Sequence, residues 1–337
     1  MIQNNKFFLK NFKNVVFLGQ SEIFEKLIDA NSSIGLNTFL VTSSDQAKNI
    51  SSNLKPNIFD KIDDNFKKFV TKNCTTEETL FISMGARYIF KKDTINNFFL
   101  QNLVNFHGTR LPLDAGGGGL SWKILREDRI DSHLVHLVDE GIDTGPLIDY
   151  EQHLFPSNCK IPKEMQNFRL IKYLEFYKKF IKKLKEGNQF ELKPQNNFIG
   201  RYNPRLSTIE NGFIDWSLQP YDLLNFINAF EDPYPGASTY LNNGNFGKLF
   251  IKKVQLHGGD SSNHPFMSGL VSRHDKDWIV VSTTGKHMLL VENIINENGE
   301  NIISKIKSGD RFFTPQNKID DSNKNKVVFT SKGMKNK

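Results

Sequence analysis

Along the chain, short apolar runs alternate with amphipathic stretches. Asn14-Val-Val-Phe-Leu-Gly19 is a continuous apolar run closed by glycine, the pattern of a buried strand. Behind it, Ser21 can cap a helix over Glu22–Ala30 whose apolar side is Ile23, Phe24, Leu27 and Ile28. Thr38–Thr42, Thr79–Ser83, Leu103–Phe106 and Ser132–Val138 read as four further strands, most of them separated by helical patterns. The prediction for the first ~200 residues is therefore an α/β unit with a Rossmann-like, mostly parallel sheet.

The pattern changes after a polar linker at Glu186–Pro204. A helix around Tyr221–Phe230 and the turn Asp232-Pro-Tyr-Pro-Gly236 lead into short runs at Ala237–Leu241, Lys248–Leu256, Ser268–Ser272, Trp278–Ser282 and His287–Ile294. Glycine and asparagine turns separate these runs, which predicts a smaller β-rich domain, an OB-like barrel or a sandwich. The expected organisation is a first domain over 1–203, a β-rich domain over 204–315, and a basic Asn/Ser/Lys-rich tail over 316–337 that reads as disordered.

Charge alters this picture in one respect. Forty-four Lys and Arg against 37 Asp and Glu give +7, a balance that points to an anionic partner. The excess is local: residues 160–185 carry +7, the tail carries +4, and the rest of the chain carries −4. In 160–185, Ile171, Leu174, Tyr177, Ile181 and Leu184 recur at helical spacing between lysines. That pattern fits a core-packed helix with a solvated lysine face; the alternative is a stripe facing phosphate or RNA.

Several classes are excluded. No apolar run approaches the ~18 residues of a membrane helix. The N-terminal residues lack the pattern of a signal peptide, and Cys74 and Cys159 cannot supply a disulfide framework or a cysteine zinc site. The cytoplasm is the expected compartment. No G-x-G-x-x-G follows the first strand and no G-x-x-x-x-G-K-[ST] occurs, so the two standard phosphate signatures are missing.

Sites of open α/β sheets sit at strand ends, which directs attention to Ser83–Ile89, Asn105–Pro112 and Asp139–Pro146. Residues i and i+2 of a strand share a side, so Asn105 and His107 can converge on one point. Asp143, 36 residues beyond His107, can orient the imidazole and stabilise its charged form from a neighbouring strand end. Asn105 offers an oxyanion donor and His107 a proton acceptor near neutral pH. No Ser or Cys sits in an elbow motif, so this set suits direct acyl transfer through a tetrahedral intermediate.

Through Asn105-x-His107…Leu111-Pro112 and Asp139-Glu-Gly-Ile-Asp143-Thr-Gly, the chain resembles the folate-dependent formyltransferases. That group contains methionyl-tRNA formyltransferase, glycinamide ribonucleotide formyltransferase and the nucleotide-sugar N-formyltransferases. Val15-Val-Phe-Leu-Gly19…Ser21-Glu-Ile-Phe24, Asn211-Gly-Phe-Ile-Asp215-Trp216 and Ala229-Phe-x-Asp-Pro-Tyr-Pro-Gly-Ala237 extend the resemblance over roughly residues 14–300. It implies N10-formyltetrahydrofolate as cosubstrate, no metal, and Asn105, His107 and Asp143 as catalytic residues. It also implies a pterin held largely by backbone in two loops. These are Met84, Gly85, Ala86, Arg87, Tyr88 and Ile89, and Val138, Asp139, Glu140, Gly141 and Ile142.

One departure follows Pro112. Relatives carry Arg-Gly-x-x-Pro or similar, whereas this chain has Leu113-Asp-Ala-Gly-Gly-Gly-Gly-Leu-Ser-Trp122, in which Gly116 and Gly117 could open an anion cradle or a plain flexible loop. Arg110, Lys123, Arg201 and Arg205 are the cations expected near a substrate phosphate. The expected acceptor is a nucleotide-linked aminodeoxysugar, dTDP-linked in the first instance. The alternatives are methionyl-tRNA formylation and an inactive binding module; glycinamide ribonucleotide formylation is disfavoured because that enzyme type lacks a domain like residues 210–315. Thr42–Pro56 has two lysines and no arginine where tRNA enzymes carry a basic insertion, so nucleic acid is not the expected partner. The resemblance adds a homodimer as the expected assembly.

Overall fold

A computed structural model describes residues 2–3, 5–117, 119–196, 199–243, 246–259, 262–324, 327–330 and 333–336. The chain divides into two compact units. The first comprises Met1–Ala115, Ile130–Leu154 and Phe168–Tyr202; the second comprises Gly116–Arg129, Phe155–Asn167 and Asn203–Lys337.

The first unit is built on a seven-stranded sheet. Its strands in chain order are β1 (Asn14–Gly19), β2 (Asn37–Thr42), β3 (Asn57–Ile58), β4 (Thr79–Met84), β5 (Leu103–His107), β6 (Ile130–Leu137) and β7 (Leu147–Leu154). In space the order is β7-β6-β5-β4-β1-β2-β3. The pairs among β1 to β5 are parallel, whereas β6 runs antiparallel to β5, and β7 antiparallel to β6. The sheet is thus mostly parallel, as expected, with a reversal at the fifth long strand. Two strands, β3 and β7, have no counterpart among those expected.

Helices cover both faces. Val15, Phe17, Leu80, Ile82, Val104, Phe106 and Val135 point to one side, against α1 (Phe24–Ser32) and the long helix α4 (Pro162–Lys185). Val16, Leu18, Phe81 and Leu103 point to the other, against Phe66 and Val70 of α2 (Asp64–Asn73). The Asp63 carboxylate caps α2, accepting from the N–H groups of Asn65 and Phe66 at 3.0 and 3.1 Å. Ser21 does not cap α1 as expected: the position before the helix is Ile23, and the Ser21 hydroxyl accepts from the Ile23 N–H at 3.4 Å.

Helix α4 buries Tyr173, Phe176, Tyr177, Phe180, Ile181 and Leu184. Ile171, expected on the apolar side, is 60% exposed, because the buried stripe runs through the aromatics. Phe106 of β5 lies 5.3–5.9 Å from the rings of Tyr173, Phe176, Tyr177 and Phe180. Such pairs contribute about 0.5–1.5 kcal/mol each beyond their buried area, so they fix β5 against α4. Six of the helix's basic side chains are engaged within the unit: Lys172 with Glu175, Lys179 with Glu151, Lys182 with Glu186, Lys183 with Asp149, Lys185 with the Phe12 carbonyl and Arg169 with Asp131. The solvated, paired face is the one found.

The second unit contains α3 (Gly119–Leu125), α5 (Pro220–Ala229) and a six-stranded antiparallel sheet. Its strands are β8 (Ala237–Leu241), β9 (Leu249–His257), β10 (Val271–His274), β11 (Ile279–Val281), β12 (Met288–Asn296) and β13 (Phe312–Phe313), in the order β10-β11-β12-β9-β8-β13. Leu270 bridges Arg311, and the Val271 N–H donates to the Asp310 carbonyl at 2.8 Å. The two edges therefore meet and the sheet curls into a half-barrel around Ile251, Ile279, Val281, Leu289 and Val291, all buried. The tail expected to be disordered is ordered where described. Gln316–Lys324 form helix α6, tied by the Asn211 amide to the Ser322 carbonyl at 2.8 Å, and Val327–Thr330 pairs with Gly333–Asn336. Residues 325–326, 331–332 and 337 of that expected tail lie outside the described residues, as does Gly118 of the glycine run.

Candidate active site

Strand pleating sends Val104 and Phe106 toward α4 and leaves Asn105 and His107 on the opposite face. The antiparallel register pairs Asn105 with His136 and His107 with Leu134, which brings His136 onto that same face. Asp143 reaches it from the β6–β7 connection, not from a strand end. Its Oδ1 lies 3.8 Å from His107 Nδ1 and 3.7 Å from His136 Nε2. One carboxylate thus stands between two imidazoles, at ion-pair distances longer than a direct hydrogen bond. His136 was not foreseen; its signal was the second histidine of a strand already recognised.

The tautomers follow from partners. His136 Nδ1 lies 2.7 Å from the Leu137 carbonyl, so it carries a hydrogen and donates it. His107 turns Nδ1 toward Asp143, and its buried Nε2 has no partner among the described residues. Nε2 is the nitrogen left to meet a substrate. Burial lowers the proton affinity of His107 most strongly, Asp143 opposes this, and the net direction is below the ordinary histidine value. Burial alone would raise the Asp143 carboxyl, but the facing His136 and His107 hold it below the usual carboxylate range. His107 is therefore neutral and able to accept a proton, beside a carboxylate that is charged.

The Asp143 loop is tightly held. Asp143 adopts φ 57°, a left-handed conformation that Asp tolerates better than most residues. The Asp139 carboxylate accepts from the Gly141 N–H at 3.0 Å and from the Thr144 hydroxyl at 2.6 Å. Gly145 packs against the chain so closely that a Cβ would stand 1.9 Å from the Leu137 carbonyl oxygen.

Beside this loop lies a cleft of about 370 Å³ lined by Val138, Asp139, Glu140 and Gly141, and by Lys92, Ile95, Asn96 and Gln101. Ile142 is not part of the lining and is 90% exposed. The other expected loop follows β4. Met84 is buried; Gly85 takes φ 58° with its carbonyl accepting from Gln46 Nε2 at 2.7 Å; Arg87 pairs with Asp45 at 2.5 Å. The Tyr88 hydroxyl donates to the Phe59 carbonyl at 2.8 Å, Ala86 is half-buried and Ile89 is exposed.

The expected substrate cations separate into different roles. Arg110 and Arg201 both grip the buried Asp114, at 2.8 and 3.1 Å. Lys123 is corrected: it is 1% exposed with its ammonium 3.8 Å from Asp128, so it cannot meet a soluble substrate. In the second unit, Arg205 is exposed and packs its stem against Gly117, whose N–H donates to the Asn203 carbonyl at 2.9 Å. Gly116 takes φ 97°. Among the described residues no three His, Cys, Asp or Glu side chains are grouped to hold a metal, and no helix is long and apolar enough to cross a membrane.

The first unit thus sets an amide, two histidines and a carboxylate on one face of a mostly parallel sheet, and the second unit is built on a curled antiparallel sheet. Residues 207–307 match the family Formyl transferase, C-terminal domain. The methionyl-tRNA formyltransferase of Clostridium perfringens (strain 13 / Type A) is 27% identical over 199 residues, 59% of this chain and 61% of that protein. The match thus spans about three-fifths of the length of such curated relatives. Among solved structures, an N-formyltransferase from Helicobacter canadensis, in complex with folinic acid and dTDP-3-aminofucose, superposes with a TM-score of 0.62 at 17% identity, over 83% of this chain and 99% of that one. WlaRD, a sugar 3N-formyl transferase studied with dTDP and 5-N-formyl-THF, gives 0.59 at 19% identity, over 84% and 98%. The chain is thus similar to formyltransferases in the sequence of its C-terminal part, in about three-fifths of the length of the curated relatives, and in fold.

Proposed function

We propose that the chain transfers the formyl group of N10-formyltetrahydrofolate to the primary amine of a nucleotide-linked aminodeoxysugar, a dTDP sugar in the first instance. The observation that carries this reading is the placement of Asn105, His107, His136 and Asp143 around one strand face, beside a cleft lined by the 138–141 loop. That cleft combines apolar Ile95, Leu137, Val138 and Pro146 with polar Asn96, Gln101 and Asp139, a mixture suited to a flat pterin. The donor supplies an activated formyl carbon.

The residues divide the work of one acyl transfer. His107 accepts at Nε2 the proton that the attacking amine releases as its nitrogen bonds to the formyl carbon. Asp143, on the Nδ1 side, stabilises the imidazolium so formed. The Asn105 amide donates to the oxygen that gains negative charge in the tetrahedral intermediate. As the C–N bond to the donor breaks, the imidazolium returns its proton to the departing nitrogen, and His107 is neutral again.

The paired lysines of α4 support a small anionic acceptor over a large RNA, whose affinity rests on many free phosphate contacts. Exposed Arg201 is the cation of the first unit proposed to serve it. The names of the two neighbouring structures support the same reading. The names of the curated sequence relatives favour a second one, formylation of methionyl-tRNA. Purified protein with N10-formyltetrahydrofolate should formylate a dTDP-aminodeoxyhexose in a mass-spectrometric screen that includes UDP- and GDP-linked amino sugars and charged initiator tRNA. Formylation of the tRNA alone replaces the sugar reading, and no formylation of any acceptor overturns both.

A further inference from the structure

The polar linker between the two expected domains contributes a side chain to the loop that carries Asp143. Leu147 at the start of β7 and Lys193 exchange backbone hydrogen bonds at 2.8 and 2.9 Å, which docks the linker beside the loop. Two residues on, Gln195 Nε2 donates to the Asp143 carbonyl at 2.9 Å and to the Gly145 carbonyl at 2.8 Å. Both hydrogens of one amide are used, one on each side of Thr144. Both acceptors are carbonyl oxygens, so the nitrogen must occupy this position.

The Asp139 carboxylate holds Gly141 and Thr144 and Gly145 packs on Leu137, but neither contact bonds the backbone of Asp143. Asp143 is a non-glycine residue in left-handed backbone, at φ 57°, a conformation that persists only where its surroundings support it. Its own carboxylate is turned toward the two imidazoles, so it cannot brace its own backbone. We infer that Gln195 is a positioning residue for the proposed formyl transfer: its two hydrogen bonds hold Asp143 in the backbone conformation that aims the carboxylate between His107 and His136. This rests on the acyl-transfer reading above, and it gives the linker a role beyond joining two folded parts.

Gln195→Met keeps the length and bulk of the side chain and removes both donors; Gln195→Glu keeps its polarity and also cannot donate. Each variant should lose roughly tenfold in kcat, since small displacements of catalytic groups have effects of that order. Binding of 5-formyltetrahydrofolate, followed by calorimetry, should stay within about twofold of wild type and report that the fold is intact. Two readouts separate positioning from general loosening. First, in an Asp143→Asn background the Gln195 substitutions should have little further effect, because the group they position is gone. Second, the His107 imidazole, followed by NMR without any substrate, should titrate at lower pH in Gln195→Met. The other charged or titratable groups acting on His107 are His136 and Asp131 of β6 and Arg169 of α4, and none of them is altered. Unchanged kcat, an undiminished effect in the Asp143→Asn background, or an unmoved His107 titration would each overturn the inference. Failure of wild-type protein to turn over any acceptor, with the His107 titration still moved, counts against the proposed function and leaves the Gln195–Asp143 coupling standing.

Discussion

Asp143→Asn removes one negative charge from between two imidazoles and keeps the size of the side chain. The carboxylate oxygen is 3.8 Å from His107 Nδ1 and 3.7 Å from His136 Nε2. Unit charges ~4 Å apart interact by about 4 kcal/mol at an effective dielectric of ~20. The His107 and Asp143 side chains keep 22% and 21% of their exposure, so solvent reduces that figure. An opposite charge at this range typically moves a proton equilibrium by about 1–3 pH units. Burial already lowers the proton affinity of His107, and Asp143 is the largest influence opposing it. Without Asp143, His107 should therefore take up its proton only at a still lower pH.

The sign of the kinetic effect follows. A base that stays neutral to lower pH moves the acid limb of kcat/KM against pH to the left. The plateau should nonetheless fall roughly 10²-fold, because the imidazolium formed in the transfer loses about 2–3 kcal/mol of stabilisation. Steady-state rates from pH 5 to 9, with 5-formyltetrahydrofolate binding as a control, separate the two effects. An acid limb that stays in place or moves to higher pH would show that Asp143 does not act on His107, and the assigned proton path would be wrong.

Asn105→Ala and His107→Ala should each reduce kcat by ~10²-fold or more with folate binding largely kept; near-wild-type rates in both would contradict the assigned roles. Gly145→Ala places a methyl 1.9 Å from the Leu137 carbonyl oxygen in the unrelaxed structure, so the Asp143 turn must shift. Turnover should fall at least tenfold with a lower Tm, and a variant as active as wild type would show that the turn's position is not critical. His133 is held neutral, with its proton affinity pushed down to about 3 by burial first and then by the neighbouring His153. Its unfolded counterpart binds a proton near pH 6.5, so stability present above that pH declines as pH falls toward about 3 and then levels off. His133→Phe should flatten this decline by on the order of a few kcal/mol in denaturant titrations at pH 7 and pH 4.5, and equal slopes for both proteins would contradict it.

Local pattern revealed much of the fold and part of the candidate site. Apolar runs located β1, β2, β4, β5 and β6, because a strand buried on both faces has no polar interruption to hide it. They did not give the direction of β6, since direction depends on the connection, and the stretch after Leu113 had no clear periodicity. Strand β7 escaped because Leu147–Leu154 alternates exposed Tyr150, Gln152 and Leu154 with half-buried Asp149, Glu151 and His153 and carries no apolar run. Asn105, His107 and Asp143 were visible through motif spacing. His136 became visible only with the register that sets it opposite Asn105, and Gln195 only with the linker's pairing to β7. Lys123 misled for a related reason: charge marks a residue as exposed on average, and a buried lysine beside an aspartate is a tertiary fact.

The reversal at β6 is what allows these residues to meet. In a wholly parallel sheet every loop near the end of β5 would come from the same edge, and a carboxylate could approach His107 only from a strand's carboxyl end. Here β4 is parallel to β5 and delivers the Met84–Ile89 segment from one side. Strand β6 is antiparallel, so the chain passes His136 one residue before the strand ends, pairs Leu137 with Val104 near the start of β5, and then must turn back to begin β7 opposite His136. The returning connection is the one that lays Asp143 over the strand face. Its path is fixed from outside the sheet by Gln195 and from within by the close approach of Gly145 to Leu137. The carboxylate position is therefore a property of strand direction and linker docking together, which is why Asp143, the loop residue with the weakest local signal, is the residue whose surroundings the fold constrains most.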